Sequence, residues 1–535
     1  MKRRDRRICG MENRSFFRHA LLYGLGSVLV QAGGVVLVPL YARWLRPDDF
    51  GALEVLGRCA EMAGTLLLIG GLRQGLMTFY QQSKSDAERE QVFRSTMALL
   101  VVISVVGGGL IMALAGPVCN LFQSGGWPII SAGLMRLAVL GVLMEPLAMM
   151  PLALLQARVE SALFVIITIS QFVVRIALCV LFVVVLQWGV AGVFTATALT
   201  CGSYGVGLSL RELCRKGAWP DREHLMGLMR FALPFLPGAL GFFILQHGDR
   251  FFLLRCRGVA AVGVYGLGYK VALTVATFSV APLYMVWATR MYKAAEEPDA
   301  PQVFGRTFTR IMSAFMLVGL AACLFQDEAV RILGDAKYPG AAVIIAPVVL
   351  AGFFQAAAAL MDAGFYVRRR TGLKLYITLA STVVILVLYV VLIPTYGAMG
   401  AALATVAGFA FLAVCTWKTT QRIFPVEYEW GRLVDLMGLA VGLWLVSRFL
   451  PATGWAIAAK GALWLSWPLL VWMCGLPSSE EKEYVFAAVR QTWARLRRKP
   501  APAEPPPSRA PVVLVIPECT GEEAVPVEAV ASGFR

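Results

Sequence analysis

Ionisable side chains lie within the longest apolar stretches of the sequence, and their types suit the binding of an anion. Five of them are cations: Arg58, Arg136, Arg175, Arg250 and Lys270. An ionisable group at bilayer depth costs roughly 2.5–3.5 kcal/mol or more, so such groups usually face a cavity, a partner or the water interface. The five cations therefore predict a positively charged interior, and they are the candidate substrate-binding residues.

Each cation also has a purely structural interpretation. Arg58 and Glu61 are three positions apart, so on one helix face they could neutralise each other. Arg250 lies near one end of its apolar run, where its side chain could extend to the interface. Arg136 and Arg175 have no neighbour in sequence to pair with, which favours a cavity role over an ion pair between helices.

An internal repeat singles out one pair among these cations. Residues 18–60 lie on residues 230–272 without a gap, at an offset of 212, and this places Arg58 on Lys270. Two further matches keep the order and nearly the same offset: QVFRST (91–96) with QVFGRT (302–307), and GVAGVFTAT (189–197) with GAMGAALAT (397–405). The shared order and offset indicate a duplication, so each half contributes one cation at an equivalent site.

The composition shows what kind of element must position these residues. The chain has 535 residues, of which 58% are hydrophobic and only 15% are charged. Because a soluble domain carries about 25% charged residues, this balance predicts a polytopic membrane protein. The net charge of +16 then concerns membrane topology and not nucleic acid, which we exclude as a partner.

Apolar runs of about 20 residues, the length that spans a bilayer, predict an all-α protein with about fourteen membrane helices. The predicted spans are 20–42, 51–72, 95–116, 129–154, 161–185, 189–209, 231–254, 259–287, 309–327, 339–362, 374–394, 397–416, 433–450 and 456–476. The uncharged run 176–210 is divided at Gln187, Trp188 and Gly189. Most of the 49 Lys and Arg residues fall in the tails and even-numbered loops, which predicts that both termini are cytoplasmic.

The repeat and the spans together predict the domain organisation. Six helices per repeat give two lobes of the same orientation, related by an axis along the membrane normal. The predicted segments are a basic N-tail (1–19), an N-lobe (20–216), a C-lobe (217–430), two extra helices (431–477), an amphipathic helix (478–499) and a disordered tail (500–535).

Motifs that are missing from the sequence exclude other mechanisms. No GxxxxGK[ST] phosphate loop occurs, so the chain has no nucleotide motor of its own. The eleven cysteines form no CxxC pair and the three histidines have no metal-ligand spacing. We therefore predict no metal and no cofactor, and we expect energy to come from ion gradients, membrane potential or substrate flux.

Four stretches resemble the polysaccharide-repeat-unit flippases of the multidrug/oligosaccharidyl-lipid/polysaccharide exporter superfamily. They are PLYARWLRPDDFGALEVLGR (39–58), GDRFFLLRCRGVAAVGVYGLGYKVA (248–272), YPGAAVIIAPVVL (338–350) and YGAMGAALAT (396–405). The resemblance implies a two-lobe transporter in the bacterial cytoplasmic (inner) membrane. Its substrate would be a polyprenyl-diphosphate-linked oligosaccharide for surface polysaccharide synthesis, and its other partners membrane lipid and polysaccharide-assembly proteins. Arg58 and Lys270 then hold places expected of cavity charges.

Three other functions remain open at this stage. A drug or cation antiporter of the same superfamily would use carboxylates such as Glu61, Glu145 and Asp249 for ion coupling and would have an acidic cavity. A membrane glycan polymerase or glycosyltransferase typically needs a large outer loop or an acidic catalytic motif, and neither is evident, so we do not expect an enzyme. A scaffold in a polysaccharide-assembly complex is the third alternative.

Overall fold

The computed structural model describes residues 37–123, 130–158, 160–214, 220–334, 337–450 and 455–475. Within them, 11 helices are long and apolar enough to cross a membrane, or up to 12 when a bent pair is counted as one span. This confirms a polytopic all-α membrane protein. The predicted N-tail, most of the first span (20–42), the amphipathic helix 478–499 and the tail 500–535 lie outside the described residues, so the total of fourteen stays a prediction.

The N-lobe begins with helical residues 37–44 and continues with six helices. They are α1 (Pro47–Leu66), α2 (Ile69–Gln82), α3 (Asp86–Gln123), α4 (Ala132–Ala157), α5 (Ser161–Cys179) and α6 (Gly189–Leu213). A π-helical segment, Val180–Val185, continues α5, and Gln187 and Gly189 have positive φ. This turn confirms the predicted division of the run 176–210.

The predicted span 51–72 falls on a bent pair of helices, and the sequence did not predict the break between them. Leu68 has φ 59° and separates α1 from α2, which meet at 45°. The residues around the break are apolar, so composition gives no sign of it. The bend allows α2 to approach the following lobe, where a Cβ on Gly71 would lie 3.0 Å from the Ala232 carbonyl oxygen.

The rest of the described chain forms ten helices. They are α7 (Arg222–Ala232), α8 (Leu236–Arg257), α9 (Val259–Ala294), α10 (Ala300–Leu324), α11 (Gln326–Gly334), α12 (Ala341–Met361), α13 (Ala363–Val367), α14 (Thr371–Ile423), α15 (Trp430–Ser447) and α16 (Trp455–Met473). As one straight helix the 53 residues of α14 would be about 80 Å long at 1.5 Å per residue, far more than one bilayer. It is two helices that meet at a kink at Gly397 (φ 58°, ψ −129°), and they correspond to the predicted spans 374–394 and 397–416.

Helices α1 and α9 cross at two glycines that the repeat makes equivalent. A Cβ on Gly51 would lie 2.0 Å from the Val259 carbonyl oxygen, and a Cβ on Gly263 would lie 2.1 Å from that of Pro47. Both pairs of residues are related by the offset of 212. The two contacts are therefore related by one pseudo-twofold axis, and we call this site the glycine crossing. Its symmetry supports the duplication inferred from the sequence.

A set of hydrogen bonds joins the lobes beside the glycine crossing. Arg43 Nη2 donates to the Ile332 carbonyl at 3.0 Å, and Lys337 Nζ donates to the Arg43 carbonyl at 2.7 Å. Tyr338 donates its hydroxyl to the Leu45 carbonyl at 3.2 Å. These five residues form the latch. It holds the segment before α1 on the end of α11 and the residues that follow it.

The extra helices α15 and α16 dock on the C-lobe through ion pairs with α11. Lys460 Nζ contacts both oxygens of Glu328, at 2.7 and 3.0 Å, and its side chain is 11% exposed. Arg448 and Asp327 are 3.7 Å apart and about half exposed. Between α10, α12 and α15 lies an apolar cavity of about 260 Å³.

Candidate functional site

One buried carboxylate from the N-lobe lies among three cations directly below the glycine crossing. Glu54 follows Gly51 by about one turn of α1, and its side chain is 3% exposed. Its Oε1 pairs with Lys270 Nζ of α9, and its Oε2 is 3.9 Å from the Nε of both Arg58 and Arg250. Lys270 Nζ also lies 4.6 Å from the centre of the Phe50 ring. The two cations paired by the repeat thus meet at one place between the lobes.

Arg58 has a second carboxylate on its own helix. Its Nη1 pairs with Glu61, as the local-pair interpretation of these two residues requires. His247 of α8 completes this group, with Nε2 3.5 Å from Glu61 and 3.3 Å from Arg58 Nη1. Local pairing does not remove Arg58 from the interface, because its side chain remains 25% exposed and lies beside Glu54.

Arg250 is buried in the C-lobe and does not extend to the membrane surface. The residue is 2% exposed, and its Nη1 donates to Asp249 at 2.7 Å and to the Gln246 carbonyl at 3.0 Å. Its guanidinium lies 4.1 Å from the centre of the Tyr269 ring. Tyr265 donates its hydroxyl to Asp249 at 2.5 Å. Partners of this kind are what make a buried charge tolerable.

The cluster contains as many carboxylates as cations. Arg58, Arg250 and Lys270 face Glu54, Glu61 and Asp249. This balance differs from the positively charged interior expected from the five cations, because Glu54 was not among the carboxylates considered. The polar cluster is consequently neutral when His247 is neutral, and an anion can bind there only by exchanging with a carboxylate or by adding to open donors.

Open donors are present around the cluster. The Nε atoms of Arg58 and Arg250 and the Nδ1 of His247 are buried and have no hydrogen-bond partner among the described residues. An unpaired buried donor costs free energy that a suitable acceptor recovers. The two guanidinium N–H groups of Arg58 and Arg250 therefore favour an anionic ligand with several acceptor oxygens, such as a phosphate.

The remaining predicted residues lie elsewhere. Arg175 donates to Thr197 at 3.3 Å within the N-lobe, and its Nε is another buried donor without a partner there. Its charge and that of Glu61 both act on Glu145, which is exposed on α4. Arg136 is exposed and donates from Nε to the Met112 carbonyl at 3.3 Å. The structure thus brings Arg58, Lys270, Arg250, Glu61 and Asp249 together, whereas Arg175, Glu145 and Arg136 make no hydrogen bond or ion pair with these five among the described residues.

Sequence reasoning missed Glu54 and His247. A signal for Glu54 existed, since it precedes Arg58 by four residues on a helix and the repeat sets it opposite Gly266. His247 had none, because its partners Arg58 and Glu61 are 189 and 186 positions away. No group of three or more His, Cys, Asp or Glu side chains in the described parts of the chain could hold a metal ion.

Solved structures share this architecture. The chain is similar to the lipid II flippase MurJ in its inward-closed conformation, with a TM-score of 0.70 and 10% identity over 85% of this chain and 100% of that one. It is also similar to a multidrug resistance MATE family transporter of the MOP superfamily. The inward-facing form of that transporter gives a TM-score of 0.63 at 15% identity over 73% of this chain and 94% of that one. The outward-facing form gives 0.52 at 15% identity, over 75% and 93%. At these identities the likeness shows the fold.

Sequence comparison identifies the family. No curated protein matches the chain. The family model described as polysaccharide biosynthesis protein matches residues 16–293, just over half of the chain, and that match includes α1, α8 and α9 with the whole charged cluster. The fold of the flippase and transporter structures agrees with this match. This multi-pass membrane protein belongs to the polysaccharide biosynthesis protein family.

Proposed function

We propose that the protein is a flippase that moves a polyprenyl-diphosphate-linked oligosaccharide across the bacterial cytoplasmic membrane by alternating access. The observation that carries the proposal is the meeting of Arg58 from one lobe with Lys270 and Arg250 from the other around buried, unpartnered donors. A diphosphate offers several charged acceptors to such a group. Family membership is the second support, because the family takes part in polysaccharide synthesis.

The physical task of the site is to reduce the cost of moving a charged headgroup through the bilayer. A diphosphate without partners cannot leave water at an acceptable free energy. Cations between the two lobes can pair with the diphosphate while it is away from water, and the polyprenyl tail stays in lipid. Under the sidedness predicted from Lys and Arg, the glycine crossing lies on the periplasmic side.

The other predicted residues have subsidiary roles in this proposal. Arg175, with its open Nε, contacts the sugar portion or a second phosphate as the headgroup passes along the N-lobe. Arg136 attracts the anionic group from the exposed face of α4. Glu61, Glu145 and Asp249 are the carboxylates through which an ion gradient would act.

The test is substitution of the paired cations in cells. Arg58→Ala and Lys270→Ala, singly and together, are scored for lipid-linked oligosaccharide on each leaflet. Accumulation on the cytoplasmic leaflet is expected, and the double variant is expected to be the most severe. Arg448→Ala is the matched control, because it removes an exposed cation far from the cluster. Wild-type distribution in the double variant would refute the role of the paired cations.

A drug or cation antiporter is the second candidate, and the equal number of carboxylates and cations favours it more than the sequence did. It would release a proton or metal cation from Glu61 or Asp249 in exchange for a cationic drug. Efflux of cationic dyes from vesicles distinguishes the two. Dye transport that survives loss of Arg58 and Lys270 supports the antiporter, whereas dye transport is absent from a flippase of lipid-linked glycan.

A further inference from the structure

The two lobes differ at one position next to their symmetric crossing. The offset that pairs Gly51 with Gly263 also pairs Glu54 with Gly266. A Cβ on Gly266 would lie 2.9 Å from Glu54 Cγ, so the glycine leaves the space that the glutamate side chain occupies. The N-lobe therefore extends a carboxylate toward the C-lobe, whereas the equivalent position of the C-lobe is a glycine and has no side chain to extend toward the N-lobe.

Lys270 depends on this carboxylate. Arg58 also pairs with Glu61, and Arg250 also pairs with Asp249. Among the described residues, Glu54 is the carboxylate within ion-pair distance of Lys270. The Glu54–Lys270 pair thus links α1 to α9, and it lies about one helical turn from the contact of Gly51 with Gly263.

An incoming anion must compete with Glu54. Its Oε2 stands 3.9 Å from the unpartnered Nε atoms of Arg58 and Arg250, too far for a hydrogen bond but close enough to occupy the space between them. A phosphate that reaches these donors would take the position of the carboxylate. The side chains of Arg58 and Lys270 are each 25% exposed, so a ligand can reach them, whereas Glu54 at 3% cannot turn to water without moving α1.

We propose that Glu54 is an internal counter-anion that holds the glycine crossing closed in the empty protein. A phosphorylated headgroup replaces Glu54 as the ion-pair partner of Lys270 and Arg58, and this replacement opens the crossing. The inference rests on the proposed function and adds the residue that links binding to lobe movement. Once displaced, Glu54 is a buried carboxylate without its main partner, which disfavours the closed arrangement. Separation of α1 from α9 then exposes the Glu54 carboxylate to water. Glu54 acts through the cations and is a positioning residue.

The experiment uses Glu54→Gln in the full chain, because glutamine keeps the size that fits against Gly266 and loses the charge. Inorganic pyrophosphate is the probe, and its affinity is measured by calorimetry. Spin labels at two exposed positions, Trp44 next to the latch and Ile332 within it, report the distance between the lobes. In the wild type, pyrophosphate should lengthen this distance. In Glu54→Gln the distance should be long without ligand, and pyrophosphate should bind about tenfold more tightly.

Glu61→Gln is the matched control. It removes the same charge from the same helix and from the same Arg58, but Glu61 is 48% exposed and has no contact with Lys270. We expect a wild-type distance in the empty control. Glu54→Asp is the second variant: it retains the charge but withdraws it by one methylene, so its affinity and distance should lie between those of wild type and Glu54→Gln. Graded values across the three proteins separate competition from a general loss of stability.

The outcomes distinguish the two proposals. If wild type does not bind pyrophosphate, recognition of the diphosphate fails, and the role of Glu54 fails with it. If wild type binds pyrophosphate but Glu54→Gln has the same affinity and the same empty-state distance, the counter-anion is wrong while the proposed function stands. A Glu61→Gln protein as open as Glu54→Gln would also overturn the inference, because the effect would then follow charge alone.

Discussion

Alanine at either glycine of the crossing should force the lobes apart at that end. The added Cβ would lie 2.0 Å from a carbonyl oxygen at position 51 and 2.1 Å from one at position 263. Carbon and carbonyl oxygen approach to about 3.3 Å, so α1 and α9 must separate by more than about 1 Å. Overpacking of this kind costs about 1–3 kcal/mol. If this free-energy cost applies only to the closed conformation, the ratio of closed to open protein changes roughly 5- to 150-fold.

The assay is the distance between spin labels at Trp44 and Ile332, introduced as unnatural amino acids so that the eleven native cysteines remain. Gly51→Ala and Gly263→Ala should each shift the distribution to longer distances, and by similar amounts because the two contacts are equivalent. Gly57→Ala is the control on the same helix, where an added Cβ meets nothing within 4 Å. It should leave the distance unchanged and stabilise α1 by up to about 1 kcal/mol.

Two results would refute this reasoning. A wild-type distance distribution in both crossing variants would mean that the helices do not approach as closely as described. A shift in Gly51→Ala without one in Gly263→Ala would contradict the pseudo-twofold relation. The melting temperature of the purified proteins, measured alongside, tells whether the cost falls on the closed conformation or on the whole fold.

Two further predictions concern ion pairs away from the cluster. Lys460→Met should lower the melting temperature, because it leaves the partly buried Glu328 unpaired. Arg448→Met removes a cation from an exposed pair and should change the melting temperature little. Equal effects of the two substitutions would contradict this reasoning. Arg158→Ala should be destabilising, by about 1–3 kcal/mol, because it removes the charge-assisted hydrogen bond that Nη1 donates at 2.7 Å to Glu212, which is 4% exposed. Adding Glu212→Gln should recover part of that loss in a denaturation series, and no recovery would argue against the pair.

The repeat was the part of the fold that the sequence predicted best. Duplicated halves keep their glycines where backbones touch, so a single offset relates Gly51 to Gly263 and Pro47 to Val259, and the structure places these residues in equivalent contacts. The bend at Leu68 could not be predicted, because a left-handed leucine within an apolar run has no signature in composition or periodicity. Such a break depends on the packing of α2 against the other lobe.

The site was predicted in part, for a related reason. Arg58 and Lys270 follow from the repeat, since equivalent positions near an axis come together. The repeat also pointed to Glu54, because the second half has a glycine at the equivalent position. An alignment of the halves by their identical residues draws attention away from such a difference. Arg250 was ambiguous because its burial depends on aromatic residues of α9, Tyr265 and Tyr269, that lie 15 and 19 positions further along.

A neutral cluster between the lobes also changes how loss of the paired cations should be interpreted. The Arg58→Ala, Lys270→Ala protein leaves Glu54 buried with Arg250 as its remaining cation at 3.9 Å, so transport can fail because the protein is destabilised. Addition of Glu54→Gln removes the orphaned carboxylate, which leaves Arg250 with Asp249 and the half-exposed Glu61. A triple variant that is folded yet still inactive attributes the loss to the missing cations. Under the proposed exchange, Lys270 and Arg58 are paired in both conformations of the wild type, first with Glu54 and then with the headgroup, so that neither cation is left uncompensated at membrane depth.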